Sequence, residues 1–233
     1  MKYKKISILL LLAATTAVSY AQGESPLAQL NQQDLPPVAV VPSPVASTAT
    51  TKAPIKNFGV AISQNPERGK QEGLVFRGGE PVGEVAFRFL GELGVKTVIS
   101  LRALHKSDKN LCAANNMECA EYDMVPVPGM DLSKSKSFMR AFKRAADEMD
   151  AGRKIFIYCQ GGRHRTSAVV AALTIRDTAC GKPFNRTELS SYLAKTLDEY
   201  GFHNSNGRAF FTAWEKEIRS WSEHFEDNQW LCK

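Results

Sequence analysis

Hydrophobic positions from about residue 55 onward follow two different periods. Short apolar runs rich in β-branched or aromatic residues are typical of strands, and they lie at 56–62, 74–77, 95–101, 121–127 and 155–158. Apolar residues three and four positions apart are typical of helices, and they lie at 85–93, 133–151, 167–173, 189–200 and 211–225. The polar segment 102–117 predicts a loop with one helical turn. This alternation predicts an α/β fold, a single domain with a central mixed sheet of about four or five strands flanked by helices on both faces.

The N-terminal segment has a different pattern. A lysine-rich start, an apolar run at 6–18 and a small-x-small site ending at Ala21 predict a secretory signal peptide over residues 1–21. We therefore expect a secreted or periplasmic protein without a membrane span, because the apolar run is too short to cross a bilayer. Residues 22–54 are rich in Pro, Ala, Val and Thr without a period, which predicts a disordered linker before the domain at 55–233.

Composition narrows the function classes. The chain has 30 basic and 24 acidic residues. Loss of three lysines with the signal peptide leaves 27 basic and 24 acidic residues, a net charge of +3. This charge is too small to indicate binding of nucleic acid. The 4 histidines are scattered without ligand spacing, so we expect no metal and no cofactor.

One segment carries a motif for chemistry: Cys159-Gln160-Gly161-Gly162-Arg163-His164-Arg165-Thr166. It lies between a predicted buried strand and a predicted buried helix. Loop N–H groups and a helix N-terminus converge on an anion there, and they lower the pKa of a thiol placed at the same point. Cys180 and Arg186 repeat the spacing of Cys and Arg, but the loop between them contains Pro183 and follows a helix, which predicts an interhelical turn.

The order Cys, five residues, Arg, Thr resembles the signature of the cysteine-dependent protein tyrosine phosphatase superfamily. Segments 76–81 and 93–102 are similar to its atypical dual-specificity branch, including bacterial phytase-like members. The resemblance implies a metal-independent phosphomonoesterase that forms a phosphocysteine intermediate. Its implied catalytic residues are Cys159 as nucleophile, Arg165 as phosphate ligand and a general acid on a separate loop. The chain departs from the family at Tyr158, where a histidine usually precedes the nucleophile.

The general acid is predicted to be Asp131. It lies 28 positions before Cys159 in a Pro/Gly-rich loop that precedes a helix. Its alternative role is that of a helix N-terminal residue that interacts with the dipole. Asp123 is the second candidate, but it falls inside the predicted strand 121–127.

The substrate is expected to be a small phosphorylated molecule. The predicted substrate-binding residues are Gln160, Gly161, Gly162, Arg163, His164 and Thr166. Loops of this basic type resemble those of phosphatases acting on inositol phosphates, which favours inositol polyphosphate, phytate-like, as the substrate. Arg163 and His164 have an alternative role, in which they only shape and solvate the loop. Lys134 and Lys136 are expected to lie on a solvated helix face.

Three other functions remain possible from the sequence. A dual-specificity protein phosphatase uses the same residues on a different substrate. A rhodanese-like sulfurtransferase also places a Cys in an anion-binding loop, but the Asp131 loop and Thr166 favour a phosphatase. A non-catalytic phosphate-binding module needs neither a thiol nor an acid.

The cysteine count also constrains the fold. With Cys159 set aside as the nucleophile, four cysteines remain. Pairing of Cys112 with Cys119 and of Cys180 with Cys232 is one possibility, and metal binding is the alternative, since connectivity does not follow from sequence.

Overall fold

The computed structural model describes residues 53–63, 73–104, 106–127, 129–203 and 209–233. Residues 50–233 form one compact unit. The predicted signal peptide and nearly all of the predicted linker lie outside the described residues, so both stay predictions. Within the described part, no helix is long and apolar enough to span a membrane.

The described strands form one mixed sheet. They are β1 (Gly59–Ser63), β2 (Gly73–Gly78), β3 (Thr97–Ser100), β4 (Glu118–Glu121) and β5 (Ile155–Tyr158). Their order across the sheet is β1-β2-β5-β3-β4. Strand β1 is antiparallel to β2, and all the other pairs are parallel. The predicted mixed sheet is confirmed, with β5 at its centre.

Helices cover both faces of this sheet. They are α1 (Gly83–Glu92), α2 (Lys109–Ala114), α3 (Lys136–Asp150), α4 (His164–Ala179), α5 (Arg186–Glu199) and α6 (Ala209–Glu223), followed by a 3₁₀ helix at Phe225–Cys232. Alternate residues of β5 enter two separate cores, because successive strand side chains point to opposite faces. Ile155 and Ile157 pack with α3 to α6, whereas Phe156 and Tyr158 pack with α1 and α2. The predicted two-sided α/β architecture is therefore confirmed.

The fourth strand differs from its prediction. The expected strand at 121–127 is wrong, because β4 begins at Glu118 and ends at Glu121. Its length is set by β3, whose four residues pair one to one with those of β4. The N–H of Tyr122 still donates to the carbonyl of Ser100, where β3 ends. Beyond it, no described strand pairs with the chain, and Pro126 lacks a backbone donor. Asp123 consequently lies in a loop.

The cysteines pair as in the first alternative. Cys112 is bonded to Cys119 and Cys180 to Cys232, with Cα–Cα distances of 5.9 and 5.6 Å. Cys159 is a free, buried thiol. The segment from Cys180 to Arg186, which repeats the Cys–Arg spacing, is an interhelical turn as predicted. Cys180 caps the end of α4, and the Asn185 side chain caps the start of α5.

Candidate active site

The motif loop lies at the carboxyl end of the central strand. Cys159 follows β5 directly, and α4 begins five residues later at His164. The neighbours of β5 are β2 and β3, which run parallel to it. They lead into α1 and α2, and both of these helices pack on the same face of the sheet. Open parallel sheets usually bind ligands at the carboxyl end of such central strands.

The sulfur of Cys159 is surrounded by donors. Burial alone raises the pKa of the Cys159 thiol, since a desolvated thiolate is disfavoured. The side chain and the N–H of Thr166 donate hydrogen bonds to it, and the charge of Arg165 and the N–H of Gly162 act in the same direction. Together these contacts hold the pKa of Cys159 below that of an ordinary thiol. The hydroxyl of Thr166 is buried and has no other hydrogen-bond partner of ordinary geometry among the described residues, so the adjacent sulfur is the acceptor left to it.

Contacts with the chain around β1 and β2 fix the position of the loop. Gly162 has a φ of 68°, a conformation that an L side chain rarely adopts. A Cβ at this position would lie 2.4 Å from the carbonyl carbon of Gly78. The N–H of Glu80 donates to the carbonyl of Gln160, and the Asn57 amide donates to the carbonyl of Gly161. These contacts hold the loop carbonyls away from the site, which leaves its N–H groups for an anion.

Arg165 is oriented by two loops at the same edge of the sheet. Its Nη1 donates to the backbone oxygens of Leu101, at 3.0 Å, and Met124, at 3.2 Å. Within the described part of the chain, no hydrogen bond involves its Nε or Nη2. That geometry leaves two parallel N–H groups for bidentate contact with phosphate oxygens.

The two predicted basic loop residues differ in their contacts. Arg163 makes no hydrogen bond or ion pair with the described residues, and its side chain is half-buried. The Nε2 of His164 lies 2.9 Å from the oxygen of Phe202, and its ring stacks on Phe211 with centroids 3.6 Å apart. These contacts favour the loop-shaping alternative for His164. Substrate binding by either residue stays a prediction.

Tyr158, the departure from the family pattern, faces away from the thiol. Its side chain packs in the α1–α2 core, and Cys159 belongs to the core on the opposite face. The Tyr158 hydroxyl lies 2.9 Å from the Ser107 hydroxyl. The presence of Tyr158 instead of histidine therefore affects the packing of the α1–α2 core rather than the nucleophile.

The predicted acid, Asp131, lies in a loop that is attached to α6. Both carboxylate oxygens of Glu217 accept hydrogen bonds, from the N–H groups of Leu132 (2.8 Å) and Ser133 (2.9 Å). The Asp131 carboxylate accepts from the Ser133 hydroxyl at 2.7 Å and pairs with the Lys134 ammonium at 2.7 Å. These contacts specify the position of the loop before α3 through a helix more than eighty residues away.

Asp131 and Glu217 also lie close enough for each to shift the pKa of the other. The hydrogen bond from Lys134 is the main reason that the pKa of Asp131 lies well below its usual range, with contributions from Ser133 and Glu217. Burial raises the pKa of Glu217, and Asp131 raises it further. Asp131 is therefore the more acidic of the two carboxyl groups in the unliganded protein.

We expect Lys134→Met to extend phosphatase activity to higher pH. Loss of the lysine raises the pKa of Asp131 towards its ordinary value, so more of the acid stays protonated as pH rises. The descending, alkaline limb of the pH dependence of kcat/KM, which reports the free enzyme, should move to higher pH with a severalfold gain there. Lys136→Met is the control, since Lys136 is exposed and makes no ion pair with a described residue. An unmoved limb, or an equal effect of both variants, would contradict the role of Lys134.

Two residues with clear contacts in this region were not predicted as functional. Arg77 donates to the carbonyl of Gly162 from inside the sheet, and Glu217 holds the loop of Asp131. The available signals were a lone arginine in the apolar strand 74–77 and a glutamate beside the buried positions Trp214 and Ile218. Within the described residues, no group of three or more His, Cys, Asp or Glu side chains is placed to hold a metal ion.

Comparison with known families decides the assignment. The family model described as "DSP-PTPase phosphatase fused to NAD+ Kinase" (PTP-NADK) matches residues 44–204, well over half of the chain. The chain belongs to this family. It is thus a phosphatase of the cysteine-dependent protein tyrosine phosphatase superfamily, in the atypical dual-specificity branch that its motif resembles. A comparison with curated protein sequences found no match.

Several solved structures are similar to this PTP-NADK family member. The core catalytic domain of the PP-IP phosphatase SIW14 from S. cerevisiae, in complex with citrate, is 17% identical, over 76% of this chain and 96% of that one, with a TM-score of 0.49. A putative phosphatase (DUF442) from Shewanella putrefaciens CN-32 is 18% identical, over 73% and 91%, with a TM-score of 0.47. TpbA from P. aeruginosa is 15% identical, over 76% and 98%, with a TM-score of 0.47.

Proposed function

We propose that this phosphatase hydrolyses phosphomonoesters in two steps through a phosphocysteine. The Cys159 thiolate attacks phosphorus, the ester P–O bond breaks, and the leaving oxygen takes a proton from Asp131. Asp131 then accepts a proton from water as the water attacks phosphorus, and the S–P bond breaks to release inorganic phosphate and the thiolate. Arg165 and the loop N–H groups stabilise charge on the equatorial oxygens. The mechanism needs no metal.

The observation that carries this proposal is the surroundings of the Cys159 sulfur. Hydrogen bonds from Thr166 and Gly162 and the charge of Arg165 hold the pKa of the thiol below its usual value despite burial. A sulfur that serves only in packing has no need of such donors, and burial alone would leave it protonated. The same donors stabilise the thiolate when it leaves in the second step.

The acid step requires a proton on Asp131, which the unliganded site disfavours. A phosphate dianion bound in the loop places negative charge near this carboxylate, and a like charge raises the pKa of a carboxyl group. The ammonium of Lys134 is highly exposed, so solvent and salt screen the charge that it places beside Asp131. We infer that substrate binding itself protonates Asp131.

We expect Asp131→Asn to lower kcat/KM, which reports the steps up to phosphorylation of Cys159, according to the leaving group. General acid catalysis contributes about 10²–10⁴-fold, so alkyl phosphates should lose activity on that scale. Aryl phosphates have leaving oxygens that need little protonation, and their loss should be much smaller. Asp123→Asn is the matched control, because Asp123 is an exposed carboxylate between β4 and Asp131 that accepts from the N–H of Leu104. Equal losses on both substrate types would reject the acid role of Asp131.

For the substrate we propose inositol polyphosphate, of the phytate type. Arg163 supports this choice, because it contributes a loop cation with no partner among the described residues, available to a second phosphate of the same molecule. We further propose that the enzyme acts outside the cytoplasm. Its disulfides Cys112–Cys119 and Cys180–Cys232 support that location, since such bonds persist in oxidising compartments.

A phosphate-release assay tests the substrate. We expect kcat/KM for inositol hexakisphosphate to exceed that for phosphotyrosine peptides and for phosphorylated serine or threonine peptides. Arg163→Met should lower kcat/KM for the inositol substrate about tenfold, the effect of roughly 1.4 kcal/mol, and should hardly change it for an aryl phosphate. Lys136→Met is the control. The reverse ranking of substrates would identify a protein phosphatase instead. Release of phosphate from neither class of substrate would indicate a non-catalytic phosphate-binding module.

A further inference from the structure

Arg77 is a buried cation directly beneath the phosphate-binding loop. It lies in β2, and its side chain is fully buried. Its Nη2 donates to the carbonyl of Gly162 at 2.5 Å and to the hydroxyl of Ser167 at 2.8 Å. Its Cζ lies 3.6 Å from the centroid of the Tyr200 ring. Nε and Nη1 have no hydrogen-bond partner, and no carboxylate of the described residues pairs with this guanidinium.

An isolated cation at this depth requires a compensating charge. Burying a guanidinium without a counter-charge costs several kcal/mol, and its bonds to neutral groups offset only part of that cost. Burial lowers the pKa of Arg77 to about 10, while Tyr200 and Cys159 act in the opposite direction. Burial also raises the pKa of Tyr200, so its hydroxyl stays neutral. Of the two ionisable groups that act on Arg77, Cys159 is the one whose pKa is held below its ordinary value, so its sulfur is the candidate for the compensating negative charge.

The bond to Gly162 also determines the direction of a neighbouring donor. The peptide unit between Gly162 and Arg163 is planar and trans, so its C=O and N–H point in opposite directions. Because the carbonyl of Gly162 points down to Arg77, the N–H of Arg163 points up into the loop. The contact with Ser167, in the first turn of α4, ties the same guanidinium to the start of the helix.

We propose that Arg77 is a positioning residue that aims the Gly162–Arg163 peptide at the substrate phosphate and balances the charge of the Cys159 thiolate from behind. This inference rests on the proposed function, in which that thiolate is the nucleophile. Arg77 does not contact the substrate itself. The anion site then has two cations near the sulfur, since both Arg165 and Arg77 interact electrostatically with Cys159.

The test is the pH dependence of Cys159 alkylation by iodoacetamide, which reports thiolate formation without turnover. All other cysteines are in disulfides, so alkylation reports Cys159 alone. Arg77→Met should move the midpoint of the alkylation pH profile to higher pH. At pH values below the midpoint of the parent protein, it should slow alkylation about tenfold, which corresponds to one pKa unit. In a Cys159→Ser background the same change should weaken binding of inorganic phosphate by about tenfold.

Two further variants separate this role from a structural one. Arg176→Met removes another largely buried arginine, one that pairs with Asp150 from α4, and it should lower stability without moving the midpoint. Arg77→Lys keeps the positive charge but loses the planar guanidinium. It should therefore retain the low alkylation midpoint of the parent and still weaken phosphate binding. If Arg77→Met does not fold, the lysine variant decides, and unchanged phosphate binding in it would overturn the proposal.

The parent protein distinguishes the two possible failures. An alkylation midpoint in the parent at the ordinary thiol value would reject the thiolate mechanism itself. A low midpoint in the parent, unchanged in a folded Arg77→Met protein with unchanged phosphate binding, would reject only the role of Arg77.

Discussion

The Gly162→Ala variant will lose most of its phosphatase activity and most of its affinity for inorganic phosphate. The φ of 68° alone costs an L residue about 1–2 kcal/mol. The added Cβ would also meet the Gly78 carbonyl carbon at 2.4 Å and the Gly79 nitrogen at 2.6 Å. These are backbone atoms of the chain that leaves β2, so they cannot rotate away, and the loop must move instead. A displacement of about 1 Å at a reacting centre costs about 10² in rate.

The matched control for this variant is Gly161→Ala. Gly161 has no positive φ, and a Cβ there would meet no atom within 4 Å. At such a position alanine stabilises a protein by about 0.4–1 kcal/mol through the unfolded state. The measurements are kcat/KM on an aryl phosphate, the Kd for inorganic phosphate and the unfolding midpoint. Similar activities of the two alanine variants would show that the close approach of loop and strand is unimportant for catalysis.

Cys159→Ser should abolish turnover while it preserves the anion site. Loss of a covalent nucleophile costs on the order of 10⁶ in kcat. A serine hydroxyl is not ionised at neutral pH by the donors that suffice for a thiol. The loop N–H groups and Arg165 are unaffected, and removal of the buried thiolate leaves more positive potential for a bound anion. We therefore expect inorganic phosphate to bind at least as tightly as it does to the parent.

Steady-state phosphate release and calorimetric titration with inorganic phosphate measure these two properties. The Thr166→Val variant is a useful companion, because it removes the hydroxyl bonded to the sulfur and keeps the nucleophile. It should slow turnover while it retains the covalent route. Residual turnover in Cys159→Ser comparable to that of the parent would refute nucleophilic catalysis by the thiol.

The sequence predicted the fold where the local pattern and the tertiary environment agree. Strand β5 is a continuous apolar run that is buried on both faces, and helix α3 has an apolar stripe that packs on the sheet. Strand β4 shows the limit of this approach. Its residues Glu118 to Glu121 have little intrinsic strand preference, and they form a strand because β3 offers four partners in register. Pairing of that kind is not encoded in the segment itself.

The site shows the same division between local and distant information. Cys159, Arg165 and Thr166 are neighbours in sequence, so one motif identified them and the structure brings them together around the sulfur. Arg77 and Glu217 act on residues about 85 positions away, and no local spacing connects them to the site. His164 shows the converse, since its basic character suggested substrate binding, whereas distant Phe202 and Phe211 engage its ring.

Direct detection of the phosphorylated enzyme is the most decisive measurement. In Asp131→Asn, an aryl phosphate should still phosphorylate Cys159, and the loss of the base should slow hydrolysis so that the intermediate accumulates. Mass spectrometry after rapid acid quench should then find one phosphoryl group per chain, on the peptide containing Cys159. Phosphate on another residue, or full turnover without any phosphorylated protein, would contradict catalysis by this thiolate.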